Sequence, residues 1–497
     1  MTVYNINLGI GWASSGVEYA QAYRSKLFKK AGIDARFIFT DLILSDPLLA
    51  LTRNLGLKDH EIIWPYQVFT DLPLSMPTCR LADVRPFYPP AQEKVEEGKK
   101  LLRDYQSANS FITYYFYGDS QMVEKVEVVV DGVLQRKDYY SSAKFCSEYY
   151  LVRDGRLLIG KRSFFNQEGS LAYDMVAQDQ DFIYRLPEQI CYNHQDFIAY
   201  FIKRLALREG DWLLLDRETG IGQAVFENKG QAKLAIMIHA QHFAAQQTDE
   251  NRILWNNFYD YQLMQAEHVD VFIVATTAQA QKLTEQFESY LHMRPKILTI
   301  PVGALEELGG YKLRKTSSLV TVSRLAREKH VDWLIRASAR ARRQRPDLTL
   351  DIYGSGGQEA YLRRVIEEEG AQDFIRLMGH QDMSQRYDDY QIYISASQSE
   401  GFGLSLMEAV GAGLAMIGFD VPYGNQTFIE DGVNGRLLAW QENQVLDRLL
   451  EDYSRAILEL LDSDLDAMHQ ASLDLAQNYL EDQVAQAWLD LIEGGNR

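Results

Sequence analysis

The sequence predicts an α/β protein of two doubly wound halves, the first interrupted by an antiparallel β-meander. Three observations lead there. Apolar runs of the buried parallel kind, Trp212–Asp216, Leu234–His239 and Val269–Ala275, alternate with helical periodicity. A second strand–helix series starts at Ser318, with strands expected near 318–324, 348–353, 374–378, 391–396 and 414–419. From about 45 to 205 the texture shifts to β-branched and aromatic runs, with Asp131-Gly132 and Asp154-Gly155 as hairpin turns.

In chain order, residues 2–10 read as a strand, Gly9, Gly11 and Gly16 punctuate a loop, and Val17–Lys30 carries helical spacing. Residues 1–44 and 206–310 form the first Rossmann-like domain. Residues 45–205 form the inserted sheet, whose Phe111–Tyr117 and Val126–Val130 runs offer edges for another protein. Lys296–Pro301 leads to a boundary near 305–315, and 311–440 form the second Rossmann-like domain. Residues 441–497 are helical and acidic and return toward the first domain. Ligands of such sheets bind beyond the carboxyl ends of the strands, so two facing halves create a cleft there.

Composition narrows the function. The chain has 497 residues, 46% of them apolar, and a net charge of −18. A nucleic-acid binder would carry a basic face, so that class is excluded. The three cysteines, Cys79, Cys146 and Cys191, show no metal spacing and read as free thiols. No signal peptide is expected before Met1, and no apolar run reaches the roughly 18 residues of a membrane span. A cytoplasmic location is expected, with peripheral attachment to the cell membrane left open.

The strongest chemical signal is Ser399-Glu400-Gly401-Phe402-Gly403-Leu404, between an expected strand and a helix that carries Glu408. Glycines admit backbone amides close to a ligand, and a helix N-terminus suits a phosphate. Glu400 can reach sugar hydroxyls and Glu408 ribose hydroxyls. Gly-Phe-Gly taken alone also admits a tight turn, the less favoured alternative. Arg324 and Lys329 stand past the first strand of the second half, where both suit a diphosphate leaving group. His239-Ala-Gln-His242 lacks a third metal ligand nearby and reads as a sugar contact or a core histidine. Ser14–Tyr19 can face a diphosphate, and Gly379-His380-Gln381 a base or ribose. Tyr353-Gly-Ser-Gly-Gly357 reads as a strand-end loop or a flexible turn. Asp179-x-Asp181 and Asp462-x-Asp464 look like solvated surface, so no metal and no cofactor are expected.

Arg324-x4-Lys329 and Glu400-x7-Glu408 resemble the donor site of family 4 retaining glycosyltransferases of the GT-B fold. The 4–19, 215–222 and 420–432 segments further resemble the GtfA family, catalytic subunits of the streptococcal accessory-secretion glycosyltransferase. That resemblance implies transfer of N-acetylglucosamine from its UDP form to Ser or Thr of a serine-rich repeat adhesin before export. It implies a homologous GtfB subunit as partner and the adhesin as acceptor. It implies that Gly16, Val17, Glu18, Tyr19, Arg324, Lys329, His380, Gln381 and Glu408 meet UDP. His242, Glu400, Gly401, Phe402 and Gly403 would meet the N-acetylglucosamine, with Arg324, Lys329, Glu400 and Glu408 the catalytic set. Gln241 stands where relatives commonly carry an acidic residue. Competing expectations are a non-catalytic GT-B substrate-binding chaperone, and the same enzyme class with a lipid or oligosaccharide acceptor.

Overall fold

The computed structural model describes residues 1–12, 16–92, 95–97, 100–217, 219–310, 313–383, 386–441 and 444–494. The side chains of 95–97 and residues 14 and 15, named above with the first loop, lie outside that description. The chain divides into two compact units, Met1–Ala22 with Ile33–Ala235, and Tyr23–Gly32 with Ile236–Arg497.

In the first unit β1 (Val3–Asn7), β2 (Ala35–Phe39) and β3 (Ile62–Ile63) pair in parallel. An antiparallel sheet follows, running from β4 (Val95–Glu97) to β13 (Ile190–Cys191). The parallel strand β14 (Trp212–Leu215) then returns beside β1, giving the order β14–β1–β2–β3. Because Ile62–Ile63 belongs to the parallel sheet, the insert proper starts later than the expected residue 45. Two residues of strand are too short for a periodicity signal.

The insert holds together through buried carboxylates that are each hydrogen-bonded. Asp138 accepts from Tyr88 at 2.5 Å, from Arg136 at 3.0 Å and from Ser147. Arg85 holds the fully buried Asp104 with two bonds of 2.7 and 2.6 Å. Glu148 takes Tyr139, Tyr150 and Arg162. Unpaired, such charges would be very costly to bury. The hairpin turns form as expected: Asp131 and Gly132 have φ of 50° and 76°, and Asp154 and Gly155 have 53° and 70°. An aromatic stack anchors the sheet to the helix His194–Arg204, with Phe164 against Tyr173 at 4.6 Å and Tyr184 against Phe197 at 4.4 Å.

In the second unit β15 (Lys233–Ile238), entering from the first, leads to β16 (Val271–Val274) and β17 (Ile297–Thr299), which pair in parallel. A separate parallel sheet contains β18 (Ser318–Val322), β19 (Thr349–Tyr353) and β20 (Ile375–Gly379). It continues with β21 (Ile392–Ile394), β22 (Ala415–Phe419) and β23 (Gly435–Leu438). The order β20–β19–β18–β21–β22–β23 reverses between β18 and β21. That reversal opens a crevice at the carboxyl ends of those two strands, where such sheets bind ligands. β23 was absent from the sequence expectation.

The C-terminal helix Glu481–Gly494 packs on the later part of the first helix, Gly16–Ala31. Trp488 is 2% exposed and meets Phe28 edge-on at 5.2 Å, while Lys26 and Lys30 pair with Glu481. Replacing Trp488 by Ala should cost roughly 3–5 kcal/mol locally. Hydrogen exchange across 481–494 should accelerate accordingly; unchanged protection there would show that the contact does not hold the helix.

Candidate active site

β18 ends at Val322 and delivers Arg324 and Lys329 to the crevice. The chain between them is braced from below. Ser323 and Leu325 donate backbone amides to Tyr353 and Ser355 at 3.1 and 2.9 Å. Gly354 has φ of +131°, and a Cβ there would strike the Ser323 carbonyl oxygen. A Cβ on Gly356 would crowd the Leu325 carbonyl in the same way. The 353–357 segment, read from the sequence as a strand-end loop or flexible turn, is therefore a close-packed support for the cationic loop. Arg324 is well exposed and bonds Glu328 at 3.1 Å. Lys329 is only 16% exposed and pairs with Glu400 at 2.5 Å.

β21 ends at Ile394 and leads to Glu400 and the helix Leu404–Gly411. The Glu400 carbonyl accepts amides of Tyr423 and Gly424 at 2.8 and 2.9 Å, which fixes its backbone. Gly401 lies so close to the His239 carbonyl oxygen that no Cβ fits. Phe402 is a buried anchor, edge-on to Phe428 at 5.0 Å. Gly403, with φ of +85°, turns the chain into the helix. The amides of that first turn suit an anion. In the helix, Glu408 accepts from Tyr387 at 2.9 Å and from Tyr23 at 3.2 Å. Burial raises the Glu408 pKa, and the two phenol donors oppose that rise.

The loop after β15 packs beneath Gly401. His239 and Ala240 donate backbone amides to the Tyr259 hydroxyl at 3.1 and 3.2 Å, and the Ala240 carbonyl accepts from Gln279 at 2.9 Å. His242 is fully buried rather than open to a ligand, and its Nε2 donates to Gln286 at 2.6 Å. Its Nδ1 has no partner among the described residues. Burial pushes its pKa down to about 4, so the ring is neutral. The imidazole, expected from the resemblance to touch the sugar, is buried with its Nδ1 unpartnered among the described residues, and the His239 carbonyl abuts Gly401.

Beyond β20, Gly379 takes φ of +71°, His380 is exposed and Gln381 donates to the Met378 carbonyl at 2.7 Å. In the first unit, Gly16 and Tyr19 are exposed at the start of the first helix, whereas Val17 and Glu18 are buried. Gln21 on that helix donates to the buried Asp216 at 2.8 Å, joining it to the end of β14. Sequence reasoning missed Tyr23, Tyr387, Gln21 and Asp216. Among the described residues, no group of three or more His, Cys, Asp or Glu could hold a metal ion. Asp179 and Asp181 flank an exposed turn, and Asp464 caps the helix Leu465–Ala476 through the Ala467 amide.

The fold and this site define a glycosyltransferase of the GT-B class. A family model described as "Glycosyl transferases group 1" matches residues 316–463, and one described as "GtfA extended beta-sheet domain" matches 93–188. The GtfA subunit of a UDP-N-acetylglucosamine–peptide N-acetylglucosaminyltransferase from Streptococcus gordonii is 49% identical, over 99% of this chain and 98% of its own. The corresponding Streptococcus pneumoniae subunit is 45% identical over 99% of each. Among solved structures, the pneumococcal O-GlcNAc transferase GtfA in complex with UDP and GlcNAc superposes with a TM-score of 0.92 at 45% identity, covering 99% of both chains. A chain of a GtfA/B complex gives 0.93 at 48%, again over 99% of both. Staphylococcus aureus TarM, at 19% identity and a TM-score of 0.73, shares the fold alone. The chain belongs to the GtfA-subunit family.

The neutral His242 makes an acid-side prediction. The unfolded chain takes up a proton near the ordinary value of 6.5, while the folded chain resists until about 4. The stability at stake is whole above about pH 6.5 and drains as the pH falls toward 4, by up to about 3 kcal/mol. His242→Gln should flatten that slope in urea melts of the second unit between pH 7 and 5. An unchanged slope would remove His242 as its source.

Proposed function

We propose that the chain transfers N-acetylglucosamine from UDP-N-acetylglucosamine, with retention of configuration, to Ser and Thr hydroxyls of a serine-rich repeat adhesin. It acts before export, in the cytoplasm or at the inner membrane surface, in complex with a GtfB-type subunit. One observation carries the reading: past the carboxyl ends of β18 and β21, Lys329 pairs with Glu400 at 2.5 Å, just ahead of the helix Leu404–Gly411 whose N-terminus suits a phosphate. Its support outside the site is the family, whose relatives are named for peptide N-acetylglucosamine transfer, and a relative solved in a GtfA/B complex.

The diphosphate sits at that helix N-terminus. Arg324 and Lys329 offset the charge that develops as the bond from the sugar anomeric carbon to the phosphate oxygen breaks. Lys329 exchanges its Glu400 partner for phosphate, which frees Glu400 to accept sugar hydroxyls. Glu408, held by Tyr23 and Tyr387, accepts ribose hydroxyls. The acceptor oxygen bonds the anomeric carbon from the face that UDP leaves, and its proton goes to the departing phosphate oxygen. Side-chain cations supply the positive charge, so no metal is required.

Lys329→Ala should lower both transfer and donor hydrolysis by roughly 10²–10³-fold with the fold intact. Full turnover in that variant, measured by product mass on a serine-rich peptide, would sink the assignment. The wild-type rate should persist in EDTA. UDP affinity should fall as acidification protonates Glu408, whose raised pKa brings this on above the ordinary carboxylate range. Tyr387→Phe removes a donor that favours the ionised form, so calorimetric titration should show that acid limb moving to higher pH. Identical limbs in the two proteins would count against Glu408 as the ribose acceptor.

A further inference from the structure

The seam between β2 and the inserted sheet holds an open pocket that the transfer chemistry does not use. One wall is the 43–48 segment, just past the carboxyl end of β2. The other is formed by β7 (Val123–Val130), β8 (Val133–Tyr140) and the start of β9 (Lys144–Arg153). Trp64 and Phe145, 6.1 Å apart, contribute rigid apolar surface. The Trp64 indole is fixed by donating to the Asp41 carbonyl at 3.1 Å.

The polar lining is short of donors. Glu124 takes no hydrogen bond or ion pair among the described residues, and burial raises its pKa despite neighbouring Lys125. Gln67, 7% exposed, has Oε1 without a partner, and Ser141, 4% exposed, has Oγ without one. Unmade hydrogen bonds at buried groups are costly, so these atoms favour a ligand that brings N–H and O–H groups. Lys125 already lies beside Glu124, so the ligand need not be a cation. Asp46 at the rim accepts from the Trp12 indole at 2.9 Å, tying the pocket to the loop that precedes Gly16.

We propose that this pocket is an acceptor subsite, taking a Ser or Thr side chain and its flanking backbone amide from a hydroxyl-rich polypeptide. The hydroxyl and amide supply donors to Glu124 and the Gln67 Oε1, the Ser141 hydroxyl can accept from or donate to the peptide, and the small aliphatic part rests on Trp64 and Phe145. The residue held here is not the one being modified, so the pocket governs peptide affinity and not the chemical step. The inference rests on the polypeptide-acceptor reading above.

The test uses the chain with its GtfB-type subunit, a synthetic serine-rich peptide and saturating UDP-N-acetylglucosamine. Glu124→Gln and the mouth-blocking Ser45→Trp should each raise the peptide KM roughly tenfold, a change of about 1.4 kcal/mol in binding. Donor hydrolysis without peptide should stay at the wild-type rate in both, which also reports that they fold. In the unaltered complex, added peptide should slow hydrogen exchange at 43–48 and 139–145. A wild-type peptide KM in both variants, or no protection in those segments, overturns the subsite while leaving the transferase reading intact. Failure of the unaltered complex to glycosylate any peptide overturns the transferase reading and this one with it.

Discussion

Two backbone approaches beside Glu400 leave no room for a side chain, a pair of backbone hydrogen bonds adds a third contact, and the candidate site hangs from them. Gly401 abuts the His239 carbonyl, Gly424 abuts the Phe402 carbonyl, and the Glu400 carbonyl receives two amides from the 423–424 turn. Phe402 then drives into the aromatic cluster with Phe428 and Tyr479. Such contacts act as a rigid weld, since backbone cannot step aside as a flexible side chain does. The Glu400 side chain and the first turn of Leu404–Gly411 inherit their positions from it. Interiors this close transmit errors, so a displacement of the 239–242 loop would move the Glu400 carboxylate.

The same spot holds the charge balance. A chain of net charge −18 must gather an anionic donor against its own field. It does so by keeping Lys329 in a confined place with Glu400 as counter-ion, at 2.5 Å. A cation confined without a partner would be strongly disfavoured, whereas a paired one can be held ready. On the proposed reading, the pair is a resting state in which each member occupies the other's ligand position. Arg324, exposed and loosely tied to Glu328, stays available for first encounter.

Much of the candidate site was legible because its parts sit at strand ends in short segments. Arg324 and Lys329 follow β18, and Glu400, Gly401 and Gly403 follow β21, so motif spacing and strand order spoke together. What escaped came from distant segments or from burial. Tyr23 and Tyr387 meet on Glu408 from positions 385 and 21 residues away, and neither carries a local signature. His242 looked like a ligand because a histidine past a strand end offers nitrogen; only packing reveals that Trp255, Tyr423 and Gln286 enclose it. The 353–357 glycines read as turn or loop because sequence shows the missing side chains and not the carbonyls that exclude them. The insert was recognisable from its hairpin turns, but its first boundary was not, since β3 is two residues long.

The carboxylates inside the inserted sheet have a consequence for its alignment. Asp138 and Glu148 are buried, and each takes donors from the neighbouring strand only when the strands pair as they do, Asp138 from Ser147 and Glu148 from Tyr139 and Arg162. A slip of one residue would turn every side chain of a strand to the opposite face. It would also leave these charges buried without partners, at a cost of several kcal/mol each. Apolar sheets tolerate sliding because one valine resembles the next. Here buried charge works as a key cut for one lock, so the long antiparallel ribbon has a single alignment and a fixed geometry along its free edges.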